Sequence, residues 1–306
     1  MSDFRLTQIN NVMLGTTDLA RSLAFYRDTL GLAVQFEMLG FVFLNAGGVT
    51  LSLSTTHKKL ATPVAGGTEV VFGVPDVTAA QETARRAESD GFYSVSHNDH
   101  FYSPLGTPQS PQLECFTTLT AIAAVTDTIR LAPAVGVANF RTPPLLAKIT
   151  STLDLASNGR FICGLGAGWQ GIEYEMHGYE FPPLRKRLEQ LEDCIGVLKA
   201  MWTQDVPSFK GKHYSVEKAY NNPRPVQKPH PPFMLGGSGK GLLKIAARHA
   251  DILNIIPPTS NGRDFVNDPA ATVAFDMATM KRRIAMLHGF MSDLDRDPQD
   301  IELGGL

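Results

Sequence analysis

From residue 69 onward the chain alternates short apolar runs with longer amphipathic ones, and that alternation restricts its fold more than any other feature. Strand-like runs fall at 69–74, 93–97, 129–135, 161–166, 232–236, 251–255 and 301–303. Helical patterns separate most of them, at 79–89, 115–126, 145–157, 184–202, 242–249 and 271–290. Short apolar strands joined by helices imply a parallel sheet with its faces covered. The pattern from Leu184 is the clearest, because Leu188, Leu191, Ile195, Leu198 and Trp202 recur at helical spacing with Arg and Glu on the other side. The helix at 145–157 has Pro143 and Pro144 at its start and Gly159 just past its end. Seven such strands in order predict an α/β fold of the (β/α)8 barrel kind. The eighth strand is expected to be lacking, since the chain stops just past the seventh. The segment between Trp202 and Pro231, with Phe209, Tyr214, Tyr220 and several prolines, is expected to lie over the barrel mouth.

The first 67 residues follow another grammar. An alternating run at 9–14 leads to a turn, and Asp18 is placed to cap a helix bearing Leu19, Leu23, Phe25, Tyr26 and Leu30, which Gly31 ends. Strands follow at 33–38, 40–45 and 49–54, with turns at Leu39-Gly40 and Gly47-Gly48. This is one βαβββ unit, trailed by a polar linker at 57–67. The expected division is therefore a small module over 1–67 and a barrel over 68–306.

Charge narrows the function classes. The chain has 28 Lys and Arg against 30 Asp and Glu, a net charge of -2, and no excess in either part. Residues 1–78 hold five basic and six acidic side chains, and the rest hold 23 and 24. Nucleic-acid binding depends on clustered Lys and Arg, so no such partner is expected. Cys115, Cys163 and Cys194 have neither CxxC nor metal-ligand spacing and read as small buried hydrophobes of a reducing compartment. The first ten residues carry no basic and apolar leader pattern, and no apolar stretch approaches the ~20 residues that span a bilayer. The expectation is a cytoplasmic protein without a membrane partner that binds a small molecule.

Three segments carry candidate chemistry. Residues 234–241, Met-Leu-Gly-Gly-Ser-Gly-Lys-Gly, join a strand to a helix. Glycines there let backbone N–H groups approach an anion, with Ser238 offering a hydroxyl and Lys240 a charge, while a tight turn is the plainer reading. Residues 161–169 run into a glycine corner at Gly164, Gly166 and Gly168, where missing side chains would admit a flat ring; the spacing is not that of a dinucleotide fingerprint. Asn98, Asp99, His100 and Phe101 close the second strand, where a His can act as acid or base or donate to a cofactor oxygen. His97 alternates to the other face, and Arg141 could cap a helix or reach an anion. Glu173, Glu175 and His177 raise the question of a metal, but they lack a converging ligand pattern, so none is expected. A G-x-S-x-G elbow for nucleophilic catalysis is absent too.

Several stretches in order resemble the bacterial-luciferase-like superfamily of flavin- or coenzyme F420-dependent oxidoreductases. They are Asp99-His100, 113–119, Arg141-Thr-Pro-Pro, 153–160, 164–169 and 236–239, with 222–227 and 246–251 pointing to an F420-dependent branch. The resemblance covers about residues 69–306. It implies a TIM-type barrel with the cofactor ring across its mouth, His100 facing the reactive centre, and a homodimer. It also implies that Gly237, Ser238, Gly239 and Lys240 hold the cofactor phosphate, that Gly166, Gly168 and Trp169 line the ring, and that Asp99 and Gly136 belong to the same site. The family often has a non-prolyl cis bond after the third strand, and 135–137 is the place for it. Family dehydrogenases for sugar phosphates or alcohols carry Trp where Pro104 stands and Glu where Trp169 stands, a departure that favours a monooxygenase or reductase.

The N-terminal part resembles the glyoxalase and bleomycin-resistance, or vicinal oxygen chelate, fold at 11–14, 18–21 and 25–31, and 71–77 resembles the start of its second module. That family's metal ligands would stand at Asn11 and near Ser52 or Ser54, and none of these is a ligand type the metal needs. A strand and helix over 69–91 serve either resemblance, so the chain reads as a chimera joined inside a shared element. The luciferase-like resemblance of the barrel implies hydride transfer between coenzyme F420, alternatively FMN, and a small organic substrate. The rival expectations are an FMN-dependent monooxygenase served by a separate flavin or F420 reductase, a non-catalytic small-molecule binder, and a fused chain without activity.

Overall fold

The computed structural model describes residues 11–15, 18–29, 31–38, 40–45, 50–55, 70–71, 74–89, 91–102, 109–257 and 275–304. The expected linker at 57–67 lies outside them. The first unit is built as its sequence pattern predicts. Strand β1 (Asn11–Gly15) precedes helix α1 (Leu19–Ala24), which Asp18 caps by accepting from the Arg21 N–H at 2.9 Å. The helix continues as a π-helical turn over Phe25–Thr29. Strands β2 (Ala33–Met38), β3 (Phe41–Asn45) and β4 (Thr50–Ser54) form an antiparallel meander, and β1 lies parallel to β4. Val42, Leu44 and Leu53 are buried between the sheet and Leu19, Leu23 and Tyr26.

The strand–helix element that the sequence assigns to either unit is divided between them. Strand β5 (Val70–Val71) pairs antiparallel with β1, Asn11 opposite Val71, and so completes the first sheet. Helix α2 (Val77–Ser89) instead joins the barrel wall. Its Ala80 and Ala84 share a core with Ile122 and Ala123, and the Gln81 amide donates to the Ala121 carbonyl at 2.9 Å.

The second unit alternates β6 (Ser94–His97), α3 (Cys115–Ala123), β7 (Arg130–Pro133), β8 (Gly136–Val137), α4 (Pro143–Ala156) and β9 (Cys163–Gly166). It continues with α5 (Gly171–Met176), α6 (Leu184–Thr203), the hairpin strands β10 (Phe209–Lys210) and β11 (Ser215–Val216), then β12 (Phe233–Gly236). Helix α7 (Lys240–His249), β13 (Ile252–Asn254), α8 (Met277–Ser292) and β14 (Glu302–Gly304) follow. All pairings of the curved sheet are parallel, running β6–β7, then through a Leu131–Phe161 bridge to β9, β12, β13 and β14. Among the described residues the order is β14-β13-β12-β9-β8 with β6-β7 as a separate pair, β8 lying parallel to β9.

Strand periodicity sorts the side chains. Leu131, Phe161, Cys163, Leu165, Phe233, Leu235 and Leu253 face the helices and meet Leu191, Ile195, Leu198 and Trp202 of α6 in one core. Their neighbours Ala132, Ile162, Met234 and Ile252 point the other way and fill the barrel interior. The three cysteines are buried, and burial pushes the Cys194 thiol up to about 12. Outside the barrel, Arg160 makes five hydrogen bonds, to the Ser157, Ile129, Ala123 and Thr126 carbonyls and the Thr126 hydroxyl.

Two expectations need correction. The single strand at 129–135 is two short strands, β7 and β8, separated by a cis peptide bond between Ala134 and Val135. The segment after Trp202 does not cover the mouth. It connects a helix end to a strand start, and such connections lie at the amino ends of barrel strands. Gln227 donates there to Asp154 at 2.6 Å and to the Phe161 carbonyl at 2.7 Å, while the backbone N–H of Tyr214 reaches Asp193 of α6 at 3.0 Å.

Candidate functional site

The carboxyl ends of β6, β7, β9 and β12 open at one end of the sheet, and the residues singled out by sequence all follow them. After β6, Asp99 is buried, and both its oxygens are engaged. They accept from the Val137 N–H at 2.8 Å and from Arg141 at 2.8 and 3.0 Å. Arg141 also reaches Glu114 and lies 4.6 Å over the Phe116 ring. Burial alone would lower its pKa, but Asp99 and Glu114 overcome this and raise it, so the guanidinium stays charged. Arg141 is thus committed to protein carboxylates, and Asp99 ties the end of β6 to β8.

His100 is half-buried beside Asp99. Its Nδ1 lies 2.7 Å from Glu173 Oε2, and the other oxygen of Glu173 accepts from the Phe101 N–H. The Trp169 and His100 rings stand edge to face at a centroid distance of 6.0 Å and an interplanar angle of 76°. His97 is turned away, its Nδ1 on the Asn98 carbonyl at 2.8 Å. Sequence reasoning weighed Glu173 only as a metal ligand and missed it as the partner of His100. The signal was its place in the first turn of α5, one helical turn beyond Trp169.

The glycines leave room chiefly for protein. A Cβ on Gly166 would come within 2.8 Å of Val135 Cγ2, and one on Gly236 within 3.0 Å of both Val135 methyl groups. Val135, which sequence did not single out beyond its backbone, therefore caps the filled interior from above. Gly136 packs against the Gly164 carbonyl at 3.1 Å, measured from where its Cβ would stand. Gly168 turns at φ +72°, and Arg187 holds its carbonyl while stacking 4.1 Å over Phe181.

At the end of β12 the chain passes through Gly237 at φ +136°, a conformation that glycine alone takes readily. Ser238 is 2% exposed, and its hydroxyl is buried without a partner among the described residues. Gly239, the residue before α7, has open space where a Cβ would be, and Lys240 is exposed beside it. No three His, Cys, Asp or Glu side chains gather as a metal site among the described residues. Among them no helix is long and apolar enough to cross a membrane.

This arrangement has relatives. An F420-dependent glucose-6-phosphate dehydrogenase of Amycolatopsis mediterranei is 33% identical over 181 residues, 59% of this chain and 53% of that one. An FMNH2-dependent dimethylsulfone monooxygenase of Pseudomonas putida is 30% identical over 176 residues, 58% of this chain and 48% of that one. The chain thus spans between about a third and two thirds of the length of the curated relatives it matches. The solved coenzyme F420-dependent tetrahydromethanopterin reductase from Methanopyrus kandleri shares the fold at a TM-score of 0.61 and 19% identity, over 76% of this chain and 62% of that one. Residues 8–47 match the bleomycin resistance protein-like N-terminal family model. The match to the luciferase-like monooxygenase model runs over residues 50–302 and takes in each strand end described above, and so the chain belongs to the luciferase-like monooxygenase family.

Proposed function

We propose that the barrel binds coenzyme F420, alternatively FMN, and moves a hydride between it and a small organic substrate. One observation carries this reading: the buried hydroxyl of Ser238, without a partner among the described residues, just before a ten-residue helix. A buried polar group without a partner calls for one, and a helix N-terminus favours an anion. A cofactor phosphate satisfies both, with Gly237 and Gly239 giving it backbone approach and Lys240 a nearby charge. When bound, the deazaflavin or flavin ring supplies the two-electron chemistry. Val135 would form the apolar floor under that ring, with Gly166, Gly168 and Trp169 at its edge. His100 would hold or release a proton at Nε2 beside the substrate, while Gly136 and Asp99 keep the end of β8 in place.

The same proposal divides the chain into the small module, residues 1–67, and the barrel, 68–306, with β5 reaching back from the second part to pair with β1 of the first. The module contributes no metal chemistry, since its ligand positions hold Asn11, Ser52 and Ser54. A cytoplasmic homodimer is part of the reading.

A second reading is an FMN-dependent monooxygenase supplied by a separate flavin reductase. It is favoured by Trp169, which stands against His100 at a position where family dehydrogenases are expected to carry Glu. Fluorescence titration of the purified chain with F420 and with FMN tests both. Saturable micromolar binding of one cofactor supports the site and selects the cofactor. Binding of neither by folded protein overturns it, and oxygen uptake with reduced FMN separates the two enzymes.

A further inference from the structure

Glu173 is 1% exposed at its side chain, and His100 12%. A carboxylate has only acceptor sites to offer. One oxygen of Glu173 accepts from the Phe101 backbone N–H, and the other faces the His100 ring at 2.7 Å. The ring nitrogen in that contact must therefore carry its proton, because two acceptors cannot share a hydrogen bond. In a neutral imidazole the remaining nitrogen, Nε2, is then the one with the free lone pair.

Each end of this pair is held. The backbone of Phe101 anchors the carboxylate, and Trp169 stands against the imidazole. Tyr174, the next residue in α5, donates its hydroxyl to Asn139 at 2.6 Å, and the Tyr179 N–H closes onto the Tyr174 carbonyl at 2.8 Å. The other titratable neighbours leave the contact alone. His177 bonds through Nδ1 to the backbone carbonyl of Glu173 at 2.9 Å rather than to its carboxylate. Tyr102 is held by the Gln170 amide at 2.8 Å; burial and the nearby Glu173 charge raise its pKa, so it stays protonated.

We propose that Glu173 is a positioning residue whose buried carboxylate fixes the Nδ1–H form of His100 and presents Nε2 to the site as a proton acceptor. The inference rests on the placement of His100 in the cofactor site given above. It assigns the orienting carboxylate to the first turn of α5, one turn past the corner at Trp169. The logic is that of a carboxylate that orients a catalytic imidazole without itself taking the proton.

Long-range proton–nitrogen correlation spectra of 15N-histidine-labelled full-length protein, without added cofactor, test this directly. A His100→Gln variant assigns the signals. At a pH where the ring is neutral, wild-type His100 is expected to show a protonated Nδ1 and a bare, far-downfield Nε2. Glu173→Leu is expected to lose that preference, and Glu173→Gln, which keeps an acceptor oxygen without the charge, to retain part of it. A wild-type ring with its proton on Nε2 overturns the inference even if neither variant folds. An unchanged tautomer in folded Glu173→Leu does the same. Because no cofactor is present, failure to bind F420 or FMN would remove the earlier reading while leaving this result standing.

Discussion

Val135 stands where a methyl group on Gly166 would have to go, 2.8 Å from its Cγ2. Two strand ends thus lack side chains so that one valine can close the barrel interior. Replacing Gly166 with Ala is expected to push Val135 toward the mouth, and overpacking of this kind costs ~1–3 kcal/mol. Cofactor affinity in a fluorescence titration should fall with stability, and Val135→Ala in the same chain should restore part of both. Unchanged affinity in Gly166→Ala would show that Val135 is not the floor of the site.

Ser238 separates stability from binding. Its hydroxyl is buried without a partner among the described residues, so Ser238→Ala removes a desolvated group that no protein atom satisfies. The urea midpoint is expected to hold or rise slightly. Affinity for the cofactor should drop by roughly ten- to a hundredfold, the effect of one hydrogen bond to a charged group at about 1.5–3 kcal/mol. A variant that loses stability but binds as before would place the phosphate elsewhere.

Arg160 has a structural role. Its guanidinium holds four backbone carbonyls and a hydroxyl where α3 ends and the chain enters β9. Arg160→Ala strands those carbonyls and is expected to cost about 2–4 kcal/mol in urea denaturation. Lys should rescue little, because a point charge cannot reproduce a planar fork. Cofactor affinity per folded molecule should stay the same.

Glu88 ties α2 to the turn before β7. Burial alone would raise its pKa, but the N–H groups of Ile129, Thr128 and Asp127 and the Thr128 hydroxyl outweigh this and bring it down to about 2. The folded value lies below the ordinary 4.5, so the stabilisation is complete above about pH 4.5 and fades as the pH falls toward 2. Urea midpoints at pH 6 and pH 3 should therefore differ more in wild type than in Glu88→Gln. Equal pH dependence in the two would remove Glu88 from the account.

Much of this was legible because two periods do not mimic one another. The α6 stripe of Leu191, Ile195, Leu198 and Trp202 is buried as its spacing predicts, and β3 and β4 fall within a residue of their sequence limits. The strand ends carrying His100, Gly166 and Ser238 were legible for the same reason, since barrel topology gathers whatever follows each strand. What stayed hidden depends on directions in space. Glu173 and His100 are 73 residues apart, and no local spacing signals that one carboxylate turns toward one imidazole. The glycine corner was read as room for a ring because a sequence shows a missing Cβ but not the neighbour that fills the gap. The segment after Trp202 was misplaced because its richness in proline and aromatics outweighed the simpler fact that it joins a helix to a strand.

The divided element at the junction has a consequence for how this chain can be taken apart. A chain begun at residue 68 carries off β5 and strips β1 of a neighbour, and one ended after α2 takes from the barrel the helix whose Gln81 and Arg85 donate to the carbonyls of Ala121 and Val125. A cut after β5 and before α2 leaves each unit with the element that completes it. One strand and one helix, adjacent in sequence, each complete a different body.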